Sequence, residues 1–378
     1  MREPVAYHAG VPIAPTTRLP AATSTLRCWF YAALVAVVGT AIRLSVLAVM
    51  AAAQGDSLWG LLNKWDANYY VDIARAGYAG ADGAPAEETA LAFFPGFPLV
   101  VRAVSNLLGT DVAGTAMVLN LFFTIALAAG AMALARQMGL DTRGQVLGAT
   151  VVTSAPMSIV FAMPYTEALF GALAIWAVVM LHDQRWIAAG ALIFLASFVR
   201  LTAVDLIVVF ALMVLFKARR TWWAWLSVAV SALPLAGYIW WANRHLSGTG
   251  GYFGLQEKHW NSGFDGGRAT VTWVAETLSS ATNGGYLLSA AVIIAAPICL
   301  LLAWGRLPLP AWLFAAVLMA NVLLSDGIMH SRPRLLLPAA VVLLPWVGKK
   351  GASASVGAWV LFGAWFSAYM LAVFEWAI

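Results

Sequence analysis

The dipeptide Trp65-Asp66, followed by Tyr69 and Tyr70, sets one carboxylate among aromatic rings. An acid in such a place can act as a general base, taking the proton of an attacking hydroxyl. The same pattern also fits a solvated acid beneath a belt of interfacial aromatics. Far along the chain, His330-Ser331-Arg332-Pro333-Arg334 opens an apolar stretch, with Pro333 suited to the first turn of a helix. Two guanidiniums beside free backbone N–H groups make a phosphate clamp, because arginine pairs bidentately with phosphate oxygens. His330 can donate a hydrogen bond or act as an acid there; the alternative is that the arginines snorkel at a membrane edge, although positive residues are disfavoured on an external one.

Other polar residues stand out because their surroundings are apolar. Tyr165, Glu167 and Arg200 fall at turns between apolar runs, and Arg43 and Arg102 lie within such runs. Buried charges in a membrane pair with one another or line cavities. Glu167 with Arg200 is expected as an ion pair. Arg43 and Arg102 can hold a phosphate or simply snorkel. His245 and His259, with Tyr252, Phe253 and Trp260, occupy a glycine-rich aromatic stretch whose rings could stack on sugars or sit in the belt. The two cysteines, Cys28 and Cys299, are far apart in apolar segments, which argues against a disulfide framework or a zinc site. No P-loop, dinucleotide fingerprint or paired-aspartate metal motif is present.

The elements that position these residues are dictated by composition. Of 378 residues, 62% are apolar or aromatic and 10% charged, with a mean hydropathy of +0.82, which excludes a soluble domain of this size. Apolar runs predict an all-α polytopic membrane protein with helices near 29–53, 112–136, 145–162, 165–181, 186–200, 202–217, 221–243, 285–304, 309–325, 333–348 and 354–376. Several are short, which leaves room for a cavity at one face.

The positive-inside rule then sets the sides. Residues 1–28, with Arg2, Arg18 and Arg27 against Glu3, form a cytoplasmic tail ahead of a retained first helix, and 29–378 form one membrane domain. Treating the proline-containing 92–108 segment as an interfacial helix places Arg136, Arg143, Arg185, the Lys217 to Arg220 cluster, Arg306, Lys349 and Lys350 together on the cytoplasmic side. Loops 54–111 and 244–284 then lie outside, as do the turns at Glu167, Arg200 and Asp326 to Arg332. Apolar residues at 62, 65, 69, 73 and 76 predict an amphipathic helix over 61–78 carrying Asp66. The net charge of +5 reflects this topology, not nucleic-acid binding.

Read together, these residues resemble a known family. Trp65-Asp66, Tyr70, Ile73-Ala74 and Gly77-Tyr78, followed by Phe93-Phe94-Pro95 and Pro98-Leu99, are similar to the first-loop signature of the PIG-V type of GPI mannosyltransferases and their bacterial relatives. Ser154-Ala155-Pro156, Ser158-Ile159 and Pro164-Tyr165-Thr166-Glu167 resemble a second block, Phe198-Val199-Arg200-Leu201-Thr202 a third, and Arg332-Pro333-Arg334 with Pro338 a fourth. The family often has a glycine after the third-block arginine, where this chain has Leu201-Thr202-Ala203.

The resemblance implies a GT-C fold of about eleven transmembrane helices, with interfacial helices and a catalytic acid in the first external loop, and a lipid-phosphate sugar donor. Asp66 is then the expected base. Arg332, Arg334, His330, Arg43 and Arg102 are expected on the donor phosphate, and Trp65, Tyr69, Tyr70, Tyr165, Glu167 and Arg200 on the substrates. The expected reaction is inverting transfer of mannose from polyprenyl-phosphate-mannose, without cofactor or metal, to a lipid-linked glycan or glycolipid at the outer face of the plasma membrane. A bacterial lipoglycan or phosphatidylinositol mannoside is the favoured acceptor. A transporter or flippase of lipid-linked sugars is the alternative, and it needs no carboxylate base at Asp66. A non-catalytic scaffold is the third reading.

Overall fold

A computed structural model describes residues 22–79 and 88–377. The tail residues Arg2, Glu3 and Arg18 and the loop acids Asp82 and Glu87 lie outside the described residues. The first helix, α1 (Ala22–Gln54), runs for 33 residues, roughly 50 Å at 1.5 Å per residue, and begins inside the stretch expected as tail. A short α2 (Leu58–Leu62) and α3 (Asp66–Ala76) follow; a 3-10 turn (Glu88–Ala92) then leads into α4 (Gly96–Leu108). The helix expected over 61–78 is therefore broken at residues 63–65. The break matters because it sets Asp66 in the first turn of α3, where free backbone N–H groups favour a negative charge.

Long and short apolar helices alternate from there. They are α5 (Val112–Gln137), α6 (Thr142–Thr153), α7 (Glu167–His182), α8 (Trp186–Ala196), α9 (Ala203–Lys217) and α10 (Trp222–His245). Asp111 caps α5 by accepting from the Gly114 N–H at 2.8 Å. Where a bare aromatic loop was expected over 244–284, the chain forms α11 (Gly251–Trp260) and α12 (Arg268–Ser280). The last elements are α13 (Gly284–Leu302), α14 (Leu309–Leu323), the one-turn α15 (Arg332–Leu335) and α16 (Ala352–Ala372). Five helices, α1, α5, α10, α13 and α16, are long and apolar enough to cross a membrane by length and composition. The chain is a multi-pass membrane protein.

Two expected spans are not continuous helices. The segment expected over 145–162 ends as a helix at Thr153 and continues through Pro156 into a 3-10 turn (Ser158–Ala162). The segment expected over 333–348 is α15 followed by a 3-10 stretch (Leu337–Trp346) containing Pro338 and Pro345. Proline lacks the N–H that an α-helix interior needs, so both stretches leave carbonyls to be satisfied by other groups.

In the first break, side chains from neighbouring helices supply the missing donors. Asn120 of α5, fully buried, donates through Nδ2 to the Met163 and Tyr165 carbonyls at 2.5 and 2.9 Å. Arg43 of α1 donates through Nη1 to the Thr153 carbonyl at 2.6 Å and through Nη2 to the Thr40 hydroxyl at 3.0 Å. At Gly363, α16 meets the backbone of this broken segment. A Cβ there would fall 2.0 Å from the Ser154 carbonyl oxygen, so only glycine allows the approach. The turn that carries Tyr165 and Glu167 is thereby anchored from three sides.

Candidate active site

Three breaks between helices converge on one cavity of about 280 Å³, whose wall includes Asp66, Tyr70, Arg200 and Arg334. Asp66 follows Trp65, whose φ of 57° and ψ of −121° lie outside the regions a bulky residue ordinarily adopts. Arg200 sits between α8 and α9, and this turn is tied to the first loop. The Gly96 N–H donates to the Phe198 carbonyl at 2.8 Å, and a Cβ on Gly96 would come within 2.7 Å of that oxygen. Arg334 comes from α15. Residues separated by up to 268 positions in sequence thus share one site.

The charged groups form a chain. Arg334 Nη1 donates to Asp66 Oδ2 at 2.6 Å, while Arg334 Nε lies 3.4 Å from Glu167 Oε1. The same Glu167 oxygen is 2.6 Å from Arg200 Nη1. Two acids and two guanidiniums therefore alternate, and their formal charges cancel. Glu167 is buried, only 2% exposed, and its Oε2 has no hydrogen-bond partner among the described residues. Beyond its ion pair, the Arg200 guanidinium makes no hydrogen bond within the described residues, so its remaining N–H groups are available to a ligand in the cavity.

Aromatic rings frame the chain of charges. The Arg334 guanidinium lies 5.1 Å from the Tyr165 ring centre, and Arg200 lies 5.9 Å from that of Phe170. The Tyr70 hydroxyl is 3.3 Å from Thr166 Oγ1, and burial pushes this phenol far above its ordinary range, so it stays neutral. Tyr69 turns away and stacks on Phe93 at 4.6 Å, and Trp65 packs into the helical core; neither lines the cavity.

The other expected cations are spent on backbone. Arg102 donates from Nε to the Ala74 carbonyl at 2.6 Å and from Nη2 to the Ile73 carbonyl at 2.9 Å, holding the end of α3 against α4. Arg43 closes the break after α6, as described, and is not part of the cavity wall. Arg332 does line the cavity, but its guanidinium is buried, donating to Thr270 Oγ1 at 2.7 Å and to the Val322 and Ser325 carbonyls. It pins α12 to the end of α14. His330 Nε2 lies 2.7 Å from the Ala377 carbonyl oxygen, and burial holds the imidazole below its ordinary range. Of the five residues expected on a phosphate, Arg334 alone directs its guanidinium to the acids of the site.

The second loop contributes the opposite wall. Tyr252 is buried and donates to the Ala92 carbonyl at 3.1 Å, while Gln256 and the half-buried Trp260 complete the lining from α11. His245 Nδ1 lies 3.0 Å from the Trp241 carbonyl, and His259 lies 4.0 Å from Glu88, so neither reaches the acids of the site. Asn321, Ser325, Asp326 and Gln256 were not singled out from sequence as ligands of a substrate. An asparagine near the end of an apolar helix was the available signal for Asn321. Among the described residues, no three His, Cys, Asp or Glu side chains come together.

A sequence model of the mannosyltransferase (PIG-V) family matches residues 31–226, a little over half of the chain, and this stretch contains Asp66, Glu167 and Arg200. The chain belongs to this family. Mannosyltransferases are glycosyltransferases, and the membership agrees with the resemblance carried by the first three sequence blocks. GPI alpha-1,6-mannosyltransferase 2 from Mus musculus is 31% identical over 154 residues, which are 38% of this chain and 30% of the mouse protein. The Rattus norvegicus protein of the same name is 30% identical over 154 residues, with the same coverage. The matched region thus spans under a third of these curated relatives.

The fold has solved counterparts. ArnT from Cupriavidus metallidurans bound to undecaprenyl phosphate superimposes with a TM-score of 0.53 at 16% identity, covering 90% of this chain and 62% of ArnT. Its apo form gives 0.52, also at 16% identity, over 85% and 61%. The architecture is GT-C, as the sequence blocks implied. Arg334 lies beyond the matched family region and enters the site through the fold alone.

Proposed function

We propose that this member of the mannosyltransferase family moves mannose from a polyprenyl-phosphate-mannose to a hydroxyl of a lipid-linked glycan or glycolipid at the outer membrane face. The acceptor oxygen attacks the anomeric carbon as the bond from that carbon to the phosphate oxygen breaks. The hydroxyl proton passes to Asp66, and the bonding pair leaves with the polyprenyl phosphate. One displacement inverts the centre, so a β-linked donor gives an α-mannoside. The observation that carries this reading is the convergence of Asp66, Arg334 and Arg200 on one cavity.

In this scheme Asp66 Oδ2 is held by Arg334, leaving Oδ1 to receive the proton. Arg200 and Arg334 meet the charge that grows on the leaving phosphate, and Glu167 fixes both guanidiniums so that little reorganisation accompanies the reaction. The relatives named α-1,6-mannosyltransferases support mannose as the sugar. The undecaprenyl phosphate bound by ArnT is of the chemical class proposed here for the leaving group. No nucleotide or redox cofactor is needed for the displacement.

The test is transfer by purified protein in nanodiscs, with radiolabelled polyprenyl-phosphate-mannose and a membrane lipid extract as acceptor source. A general base contributes roughly 10²- to 10⁴-fold, so Asp66→Asn should lose transfer by about that factor. Full transfer by a correctly folded Asp66→Asn protein would remove Asp66 from the mechanism.

A further inference from the structure

The cavity has a second, differently built wall. Asn321, in the last turn of α14, lines it together with Trp260 and Asp326. The end of α11 and the chain after α14 are joined there by Asn261 Nδ2 donating to Asp326 Oδ2 at 2.6 Å and by the Asp326 N–H donating to the Gly263 carbonyl at 2.6 Å. Unlike the Asp66 side, this wall holds no free guanidinium among the described residues: that of Arg332 is committed to Thr270, Val322 and Ser325.

Asn321 is held from behind. Its Nδ2 donates to Oδ1 of Asp205 at 2.9 Å, and Asp205 is an acid in the first turn of α9, buried to 2% exposure and outside the cavity wall. This donation sets the amide with its nitrogen toward Asp205. That leaves the Asn321 Oδ1 and the second amide hydrogen without a protein partner among the described residues. Asp205 Oδ2 is likewise unpartnered. A buried acid with no ion-pair partner among the described residues is costly in an apolar bundle.

We propose that Asn321, oriented by Asp205, binds a hexose hydroxyl beside the Trp260 ring, and is a specificity-determining residue of the cavity. An amide offers a donor and an acceptor side by side, matching a hydroxyl or a vicinal pair, and the indole face covers the apolar side of a pyranose. Asp205 acts through Asn321 and is a positioning residue. The inference rests on the sugar-transfer reading above. The hexose hydroxyl comes either from the donor mannose or from the acceptor glycan.

The experiment separates these two sources in the protein in nanodiscs. Asn321→Ala removes about one neutral hydrogen bond, so KM should rise roughly five- to tenfold for one substrate, with kcat largely kept. A rise for polyprenyl-phosphate-mannose assigns the hydroxyl to the donor, and a rise for the titrated lipid extract assigns it to the acceptor. Asp205→Ala should reproduce the same KM rise, whereas Asp205→Asn, which can still accept from Asn321, should stay near the native value. A purely structural Asp205 would instead lower melting temperature and kcat without that split.

Binding of n-octyl mannoside, followed by calorimetry, gives a readout that does not need turnover. It should weaken by a similar factor in Asn321→Ala. Unchanged affinity for octyl mannoside together with an unchanged KM for both substrates would overturn the proposal. If the native protein binds octyl mannoside through Asn321 but transfers nothing, the transfer reading fails while the sugar subsite stands.

Discussion

Replacing Arg334 is the most informative perturbation of the charged chain, because among the described residues this side chain alone forms ion pairs with both acids. Its Nη1 reaches Asp66 at 2.6 Å and its Nε approaches Glu167 at 3.4 Å, two contacts made by different nitrogens of one planar group. A lysine has one nitrogen and cannot reproduce this arrangement, so Arg334→Lys is expected to behave nearly as Arg334→Gln. Removing one partner from a buried charge network costs roughly 3–5 kcal/mol when burial is complete. The side chain of Asp66 is 22% exposed and Glu167 keeps Arg200, so the stability loss belongs at the low end of that range. The kinetic loss should be larger. By analogy with deleting one preorganised donor from an oxyanion site, kcat should fall about 10²- to 10³-fold.

The assay pairs initial transfer rates at saturating donor with melting temperatures in the same nanodiscs. A monodisperse Arg334→Gln protein with kcat within about threefold of native would refute the role given to Arg334. Native-like transfer by Arg334→Lys would refute the claim that two separate nitrogens are required.

Other expected outcomes follow from particular contacts. Asn120→Ala strips the donors from the Met163 and Tyr165 carbonyls, and two buried acceptors at about 1–3 kcal/mol each should lower the melting temperature clearly, as read by thermal unfolding in detergent. Gly96→Ala drives a Cβ into the Phe198 carbonyl and should reduce transfer by displacing Arg200, with much less effect on the melting temperature than on the rate. The Glu88 carboxyl is held below its ordinary value of 4.5 by hydrogen bonds from Thr249 and from Lys258. Because its folded value is depressed, the tether it forms to α11 is present above the ordinary carboxylate range and is lost as pH falls through the folded value. The protection factors of the α11 amides, which are exchange rates corrected for the intrinsic rate at each pH, should therefore fall on acidification in the native protein, and be low and less pH-dependent in Glu88→Gln.

Apolar run length revealed most helices, and Asp66, which lines the cavity, stood out in the sequence as a lone carboxylate among aromatics. The Glu167–Arg200 pair was legible too, since two opposite charges at adjacent turns of an apolar bundle have few alternatives. What periodicity missed were the interruptions. The prolines at 156, 338 and 345 lie in runs as apolar as any helix, and hydropathy does not register a missing N–H. The helical content of the second loop was hidden by its glycines, which at Gly250 and Gly267 mark the starts of α11 and α12 rather than a lack of structure. The destinations of Arg43, Arg102 and Arg332 depend on which carbonyls the breaks set free. Sequence alone names the cation and not its carbonyl.

The cancellation of charge around Asp66 also bears on which molecules meet the site. A basic funnel would gather nucleotides, inorganic phosphate and other dissolved anions from the surrounding water. A cavity whose acids and guanidiniums balance casts only a weak long-range field and gives such traffic little reason to accumulate. A phosphate carried on a lipid needs no such guidance, since diffusion confined to the bilayer already brings it to the protein. Selection would then begin with the dimension in which the substrate travels.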